Sequence, residues 1–160
     1  MVRPSDEQLN DKETAVARIM IINGPNINLL GLREPHLYGT DNIEDVKRLC
    51  DSVAEELGLQ IEFHQSNHEG EIVDLIQRAR TEADGIVINP AGYTSTSIAI
   101  LDTLLAAELP VVEVHVTNIH RREQFRQHSY VSHAASAVVM GAGIQGYEFA
   151  LRRLATLTAA

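Results

Sequence analysis

The sequence predicts an α/β fold: a doubly wound, five-stranded parallel sheet with helices on both faces. Two observations predict it. A short apolar run, a polar loop and a helical pattern recur in that order along the chain, and strands alternating with helices build parallel sheets. The chain is also the right size, since 160 residues with 44% hydrophobic and 22% charged composition suit one soluble domain with a real core. Residues 17–160 are read as that domain, and the polar segment 1–16 as a disordered tail.

Each element follows from local pattern. Ile19–Ile22 (IMII) is an apolar run of strand length. Asp41 with Glu44 forms a capping-box-like pair, after which Ile43, Val46, Leu49, Val53 and Leu57 recur at helical spacing up to a stop at Gly58. Leu59–Phe63 is a strand whose polar alternation places it toward an edge. Ile72, Leu75, Ile76 and Ala79 give an amphipathic helix, and Gly85–Ile88 a strand. Leu101, Leu104 and Leu105 share a helix face that stops before Pro110. Val111–Val116 is a strand rich in β-branched residues. A short polar helix around Arg122–Gln127, the strand Ala137–Met140 and a helix from Tyr147 to Leu157 complete the chain.

Composition excludes several classes. The formal net charge is −9, which argues against bulk attraction to nucleic acid or to acidic membranes. A single cysteine, Cys50, makes no internal disulfide and suits a reducing cytoplasm. The first sixteen residues lack the apolar stretch of a secretory signal, and no run reaches the ~18 apolar residues of a membrane span. Lys12 and Lys47 are the lysines among 13 basic residues, which leaves 13 − 2 = 11 arginines. Arginine grips carboxylates with a planar fork, so an acidic chain that gathers arginines can build a local anion site.

Residues 141–146 (GAGIQG) match G-x-G-x-x-G between a strand and a helix. A dinucleotide site also needs a following strand with an acidic residue about 20 positions on. Only 160 − 146 = 14 residues remain, and they are helical, so these glycines are read as a tight strand-to-helix turn.

Ligands of such sheets bind outside the carboxyl ends of the strands, and chemistry-bearing residues gather there. After the first strand comes a loop of nearly twenty residues that holds Asn26, Arg33 and Tyr38. Loops that long are usually functional or disordered. A tyrosine with its ordinary pKa of about 10 is a poor base unless a cation stabilises the phenolate, and Arg33 is close in sequence. After the third strand, Asn89 and Thr94–Ser97 offer an amide and hydroxyls, for capping the next helix or for holding a hydroxylated ligand. On the fourth strand Glu113, His115 and Thr117 alternate onto one face. A carboxylate beside an imidazole fixes its tautomer and makes a usable proton donor; the alternative is a satisfied structural pair. Arg122 and Arg126 follow at i, i+4 beside this histidine, which favours an anion site. The histidine spacings form no recognised metal motif, and no Gly-x-Ser-x-Gly elbow is present.

With these residues in view, the chain resembles the type II 3-dehydroquinate dehydratases. The likeness runs from Ile19 to about Leu157 through NGPNIN, GLREPHLYG, QSNHEGEIVDLI, INPAGYTSTSIAILD, VEVHVTNIHRREQFRQHSY and GAGIQGY. It implies a flavodoxin-like sheet, a dodecamer built from trimers, no cofactor and no metal. It also implies a cytoplasmic hydro-lyase that makes 3-dehydroshikimate, in the shikimate pathway or in quinate breakdown. By the same resemblance Tyr38 is the base that takes a proton from the carbon next to the ketone. Arg33, with Arg122 nearby, keeps it a phenolate. Asn26, through a water, stabilises the enolate oxygen. His115, backed by Glu113, protonates the departing C1 hydroxyl. Asn89 and Arg126 hold substrate hydroxyls, and backbone N–H groups at Val116–Thr117 bind the carboxylate. Asp102 matches an acid that reaches a neighbouring subunit's site.

One departure stands out. The family usually has His in a T-H-T-S run where this chain has Ser95, a position that contacts substrate hydroxyls. Thr117 replaces the commoner Ser and keeps its hydroxyl. Two alternatives stay open on sequence alone: a paralogous dehydratase acting on a related hydroxylated cyclic acid, and a non-catalytic anion-binding module on the same fold.

Overall fold

The computed structural model describes residues 15–159. Of the expected tail, residues 1–14 lie outside the described residues, and residues 15–17 carry no regular structure. The elements run β1 (Arg18–Asn23), α1 (Pro35–Tyr38), α2 (Ile43–Leu57), β2 (Gln60–Gln65), α3 (Glu69–Glu82), β3 (Gly85–Asn89), α4 (Ile98–Ala107), β4 (Val111–His115), β5 (Ala137–Met140) and α5 (Gln145–Thr158). All strand pairs are parallel, in the order β2-β1-β3-β4-β5. This is the flavodoxin-like order.

The apolar runs make sense on this sheet. Successive strand side chains point to opposite faces, so a strand covered on both sides must be apolar throughout. In β1, Ile19 and Ile21 pack with α2 and α5, whereas Met20 and Ile22 pack with α3 and α4. Every residue of β3 and β4 is buried. β2 pairs only with β1 and alternates in exposure, which is the edge position its polar pattern predicted.

Two local expectations are corrected. The first long helix is capped by Asn42, not Asp41: Asn42 Oδ1 accepts from the Asp45 amide at 3.0 Å while Asp45 Oδ2 accepts from the Asn42 amide at 2.9 Å. The box sits one residue later because Asn42 holds the extended backbone that a cap requires. Likewise, Arg122–Gln127 is not one helix. Two separate 3₁₀ turns form instead, Ile119–Arg121 and Gln124–Arg126, and Arg122 between them is extended. A polar segment this short has no apolar stripe with which to hold a helix against the core.

The topology opens a crevice. The chain leaves β1 outward to β2 and returns on the other side to β3, so the loops after β1 and β3 diverge at the strands' carboxyl ends. They touch at one point, where the Gly24 amide donates to the Asn89 carbonyl at 2.7 Å. A Cβ on Gly24 would fall 2.5 Å from the Pro90 oxygen, so no larger residue fits. In GAGIQG, Gly141 turns the chain at φ 85, a conformation that side chains resist. The motif serves the turn, as its spacing predicted.

Candidate active site

A cavity of about 220 Å³ occupies the crevice. It is lined by Asn26, Arg33, Tyr38, Asn89, Ser95, His115, Val116, Thr117, Arg122 and Arg126, so the structure gathers nearly all of the sequence-predicted residues. Glu113 lies behind His115 rather than on the wall, and Asp102 stands exposed on α4. No carboxylate lines the cavity among the described residues, and three guanidinium groups do. The field inside favours an anion although the whole chain is acidic.

The loop after β1 is not irregular. It contains a 3₁₀ turn, Ile27–Leu29, and the four-residue helix α1, which ends on Tyr38. Pro35 opens that helix, where its fixed φ and missing N–H cost nothing. Asn26 adopts the left-handed conformation at φ 68 and donates its amide to Asn67 Oδ1 at 3.0 Å. Asparagine tolerates that backbone better than most residues.

Arg122 makes the direct contact with Tyr38, donating from Nη1 to the phenolic oxygen at 2.8 Å. Its guanidinium carbon lies 5.5 Å from the Tyr38 ring centroid, and that of Arg33 lies 5.9 Å away. Arg33 pairs with Glu34 at 3.4 Å. The order expected from sequence is therefore reversed, because proximity along the chain does not decide which guanidinium the fold aims at the oxygen. Arg122 Nη1 also reaches Thr117 Oγ1 at 3.5 Å, and Arg126 Nε donates to Glu123 Oε2 at 3.0 Å.

In the same cavity, buried His115 Nε2 lies 3.4 Å from Glu113 Oε2 and makes no hydrogen bond. Glu113 is fully buried. Burial pushes its carboxyl up, but His115 and the hydroxyls of Ser129 and Ser132 more than reverse this, and the group sits below its ordinary value. These serines were not predicted. The signal was present: an acid inside the apolar run VVEVHV needs donors from somewhere, since a buried charge without partners is too costly to keep.

Asn89 is tied into the frame. Its Nδ2 donates to Tyr147 Oη at 2.9 Å, Tyr147 donates onward to Asn23 Oδ1 at 2.6 Å, and Asn89 Oδ1 accepts from the Ala91 amide at 3.2 Å. Tyr147 is another residue that sequence reasoning missed. Burial pushes its phenol upward, out of reach of base chemistry, whereas Tyr38 is partly exposed beside two arginines. Ser95 Oγ points to the Arg126 carbonyl at 3.4 Å. The Cys50 thiol is buried and pushed up to about 12, chiefly by burial. Among the described residues, no group of three or more His, Cys, Asp or Glu gathers to hold a metal, and no helix is long and apolar enough to cross a membrane.

Comparison with known proteins identifies the family. Residues 17–155 match the family model described as dehydroquinase class II. A 3-dehydroquinate dehydratase of Streptomyces avermitilis is 58% identical over 144 residues, which is 89% of this chain and 91% of that protein. One from Streptomyces coelicolor is 56% identical and covers 93% and 96% of the two chains. The crystal structure of a type II dehydroquinase from Butyrivibrio crossotus superposes with a TM-score of 0.85 at 40% identity, covering 87% of this chain and 97% of the other. With the family model, the sequence identity and the fold in agreement, the chain belongs to the class II dehydroquinase family.

Proposed function

We propose that the chain eliminates water from 3-dehydroquinate to give 3-dehydroshikimate, through an enolate. The observation that carries this reading is that Tyr38, paired with Arg122, lines the same cavity as His115, which is backed by Glu113. Tyr38, as a phenolate held by Arg122 with Arg33 behind it, takes the proton from the carbon beside the ketone. The C–H electron pair moves onto the carbonyl oxygen, which Asn26 stabilises through a water. The enolate then re-forms the ketone, the C1–O bond breaks, and His115 protonates the departing oxygen so that it leaves as water. Each step moves a proton or releases water, so the residues suffice without cofactor or metal.

Asn89, Ser95 and Arg126 hold the substrate's hydroxyls, and the amides of Val116 and Thr117 its carboxylate. Exposed Asp102 is flanked on α4 by exposed Ile98 and Leu105. That exposed apolar face supports a homo-oligomer, and we read it as a dodecamer built from trimers in which Asp102 reaches a neighbour's site. We place the reaction in the cytoplasm and in the shikimate pathway, with quinate breakdown as the other route that uses the same step.

Incubating the protein with 3-dehydroquinate should produce the ultraviolet absorbance of a conjugated enone. No absorbance at high substrate would overturn the assignment in favour of a paralogous dehydratase or a binding module. Ser95→His is expected to lower KM by roughly 3–10-fold with little change in kcat, the worth of about one net hydrogen bond made equally in ground and transition states. Steady-state kinetics decide this; an unchanged KM would mean that the site already compensates.

A further inference from the structure

The acid in the middle of β4 is enclosed by residues from elsewhere. Glu113 Oε1 accepts from Thr94 Oγ1 at 2.9 Å and from Ser129 Oγ at 2.6 Å. Oε2 accepts from Ser132 Oγ at 2.7 Å and faces His115 Nε2 at 3.4 Å. These three hydroxyls come from the loops after β3 and before β5, and a hydroxyl carries a single proton to give. Thr94 and Ser129 both lie within donating distance of Oε1 and, 2.8 Å apart, of each other, so at least one of them gives its proton to Oε1. Ser132 spends it on the very oxygen that faces the histidine.

We propose that Thr94, Ser129 and Ser132 are positioning residues, a hydroxyl cage that keeps Glu113 ionised and its Oε2 turned to His115. The proton shared by the pair then rests on His115, where the leaving hydroxyl needs it, and not on Glu113. This rests on the reading of His115 as the acid. The surroundings show why a cage is needed. Across the sheet, Ile88 and Val138 flank Glu113, and Met140 flanks His115. From the loops, His115 shares its cavity with Arg33, Arg122, Arg126 and Tyr38, and no carboxylate lines that cavity among the described residues. His133, on the turn that bears Ser132, is exposed. Hydroxyl donors on both oxygens are what hold a carboxylate ionised when water is excluded.

The test is a pH titration of unliganded protein by infrared spectroscopy, following the carbonyl band of a protonated buried carboxyl, assigned by its loss in Glu113→Gln. In Ser132→Ala the midpoint of that band is expected about one pH unit higher than in the unaltered protein. Thr94→Val, which keeps the side chain's shape, should move it the same way. The acid limb of kcat/KM should rise in pH with the band, a shift that mere loosening of the fold would not produce. A band midpoint that stays put in both variants overturns the cage. The spectroscopic result stands whether or not 3-dehydroquinate turns over, so failure of the cage and failure of the functional reading are told apart.

Discussion

Tyr38→Phe is expected to stop turnover while leaving the substrate bound. The substitution removes one oxygen, the atom to which Arg122 donates at 2.8 Å, and leaves the ring beside the two guanidinium groups. A positioned general base contributes on the order of 10²–10⁴ in rate. The upper end is expected here, because the other tyrosine that frames the site, Tyr147, is fully buried and committed to Asn23 and Asn89. Substrate affinity, read by calorimetry, should change little, since the carboxylate and hydroxyl contacts lie elsewhere. Retained kcat would remove Tyr38 from the role of base.

His115→Asn should lower kcat by about 10²–10⁴ for a different reason, loss of the acid that protonates the leaving oxygen. The two variants are separable in heavy water. With Tyr38 intact, His115→Asn should still exchange the hydrogen beside the substrate's ketone for deuterium, because the enolate forms and returns. Tyr38→Phe should not exchange it. Exchange in neither variant would argue against a free-standing enolate, and exchange in Tyr38→Phe would assign the base elsewhere. Asparagine preserves part of the imidazole's shape, and Glu113 keeps its surrounding hydroxyls, so the fold is expected to persist.

How far the sequence could be read depended on the range of the interaction. Unbroken apolar runs declare strands buried on both faces, as in β1 and β3, whereas β4 is equally buried although Glu113 and His115 interrupt its run. Polar alternation likewise declared β2 an edge. Local chemistry located the cap of α2 to within one residue, because Asp41 and Asn42 are equally good caps and only the backbone chooses. The residues that line the cavity were legible where their place at a strand's carboxyl end marks them out, as with Tyr38, His115 and Arg122. Partnerships were less so. Which arginine meets Tyr38 is decided by a turn 84 residues away. Ser129 and Ser132 look like ordinary loop serines until β4 is seen to bury an acid opposite them. Tyr147 resembles any core aromatic on a helix, and its bridge to Asn23 spans 124 residues.

That bridge bears on how the molecule comes into being. In an all-parallel sheet every strand pairing waits on a long crossover, and entropy must be lost before any distant contact repays it. Asn23 and Asn89 lie side by side in register at the ends of β1 and β3, yet the hydroxyl that joins their amides belongs to the last helix. Synthesis proceeds from the other end, so the crevice acquires its frame only when α5 docks. Catalytic competence in this fold is a late event, acquired with the final element rather than assembled piecemeal along the growing chain.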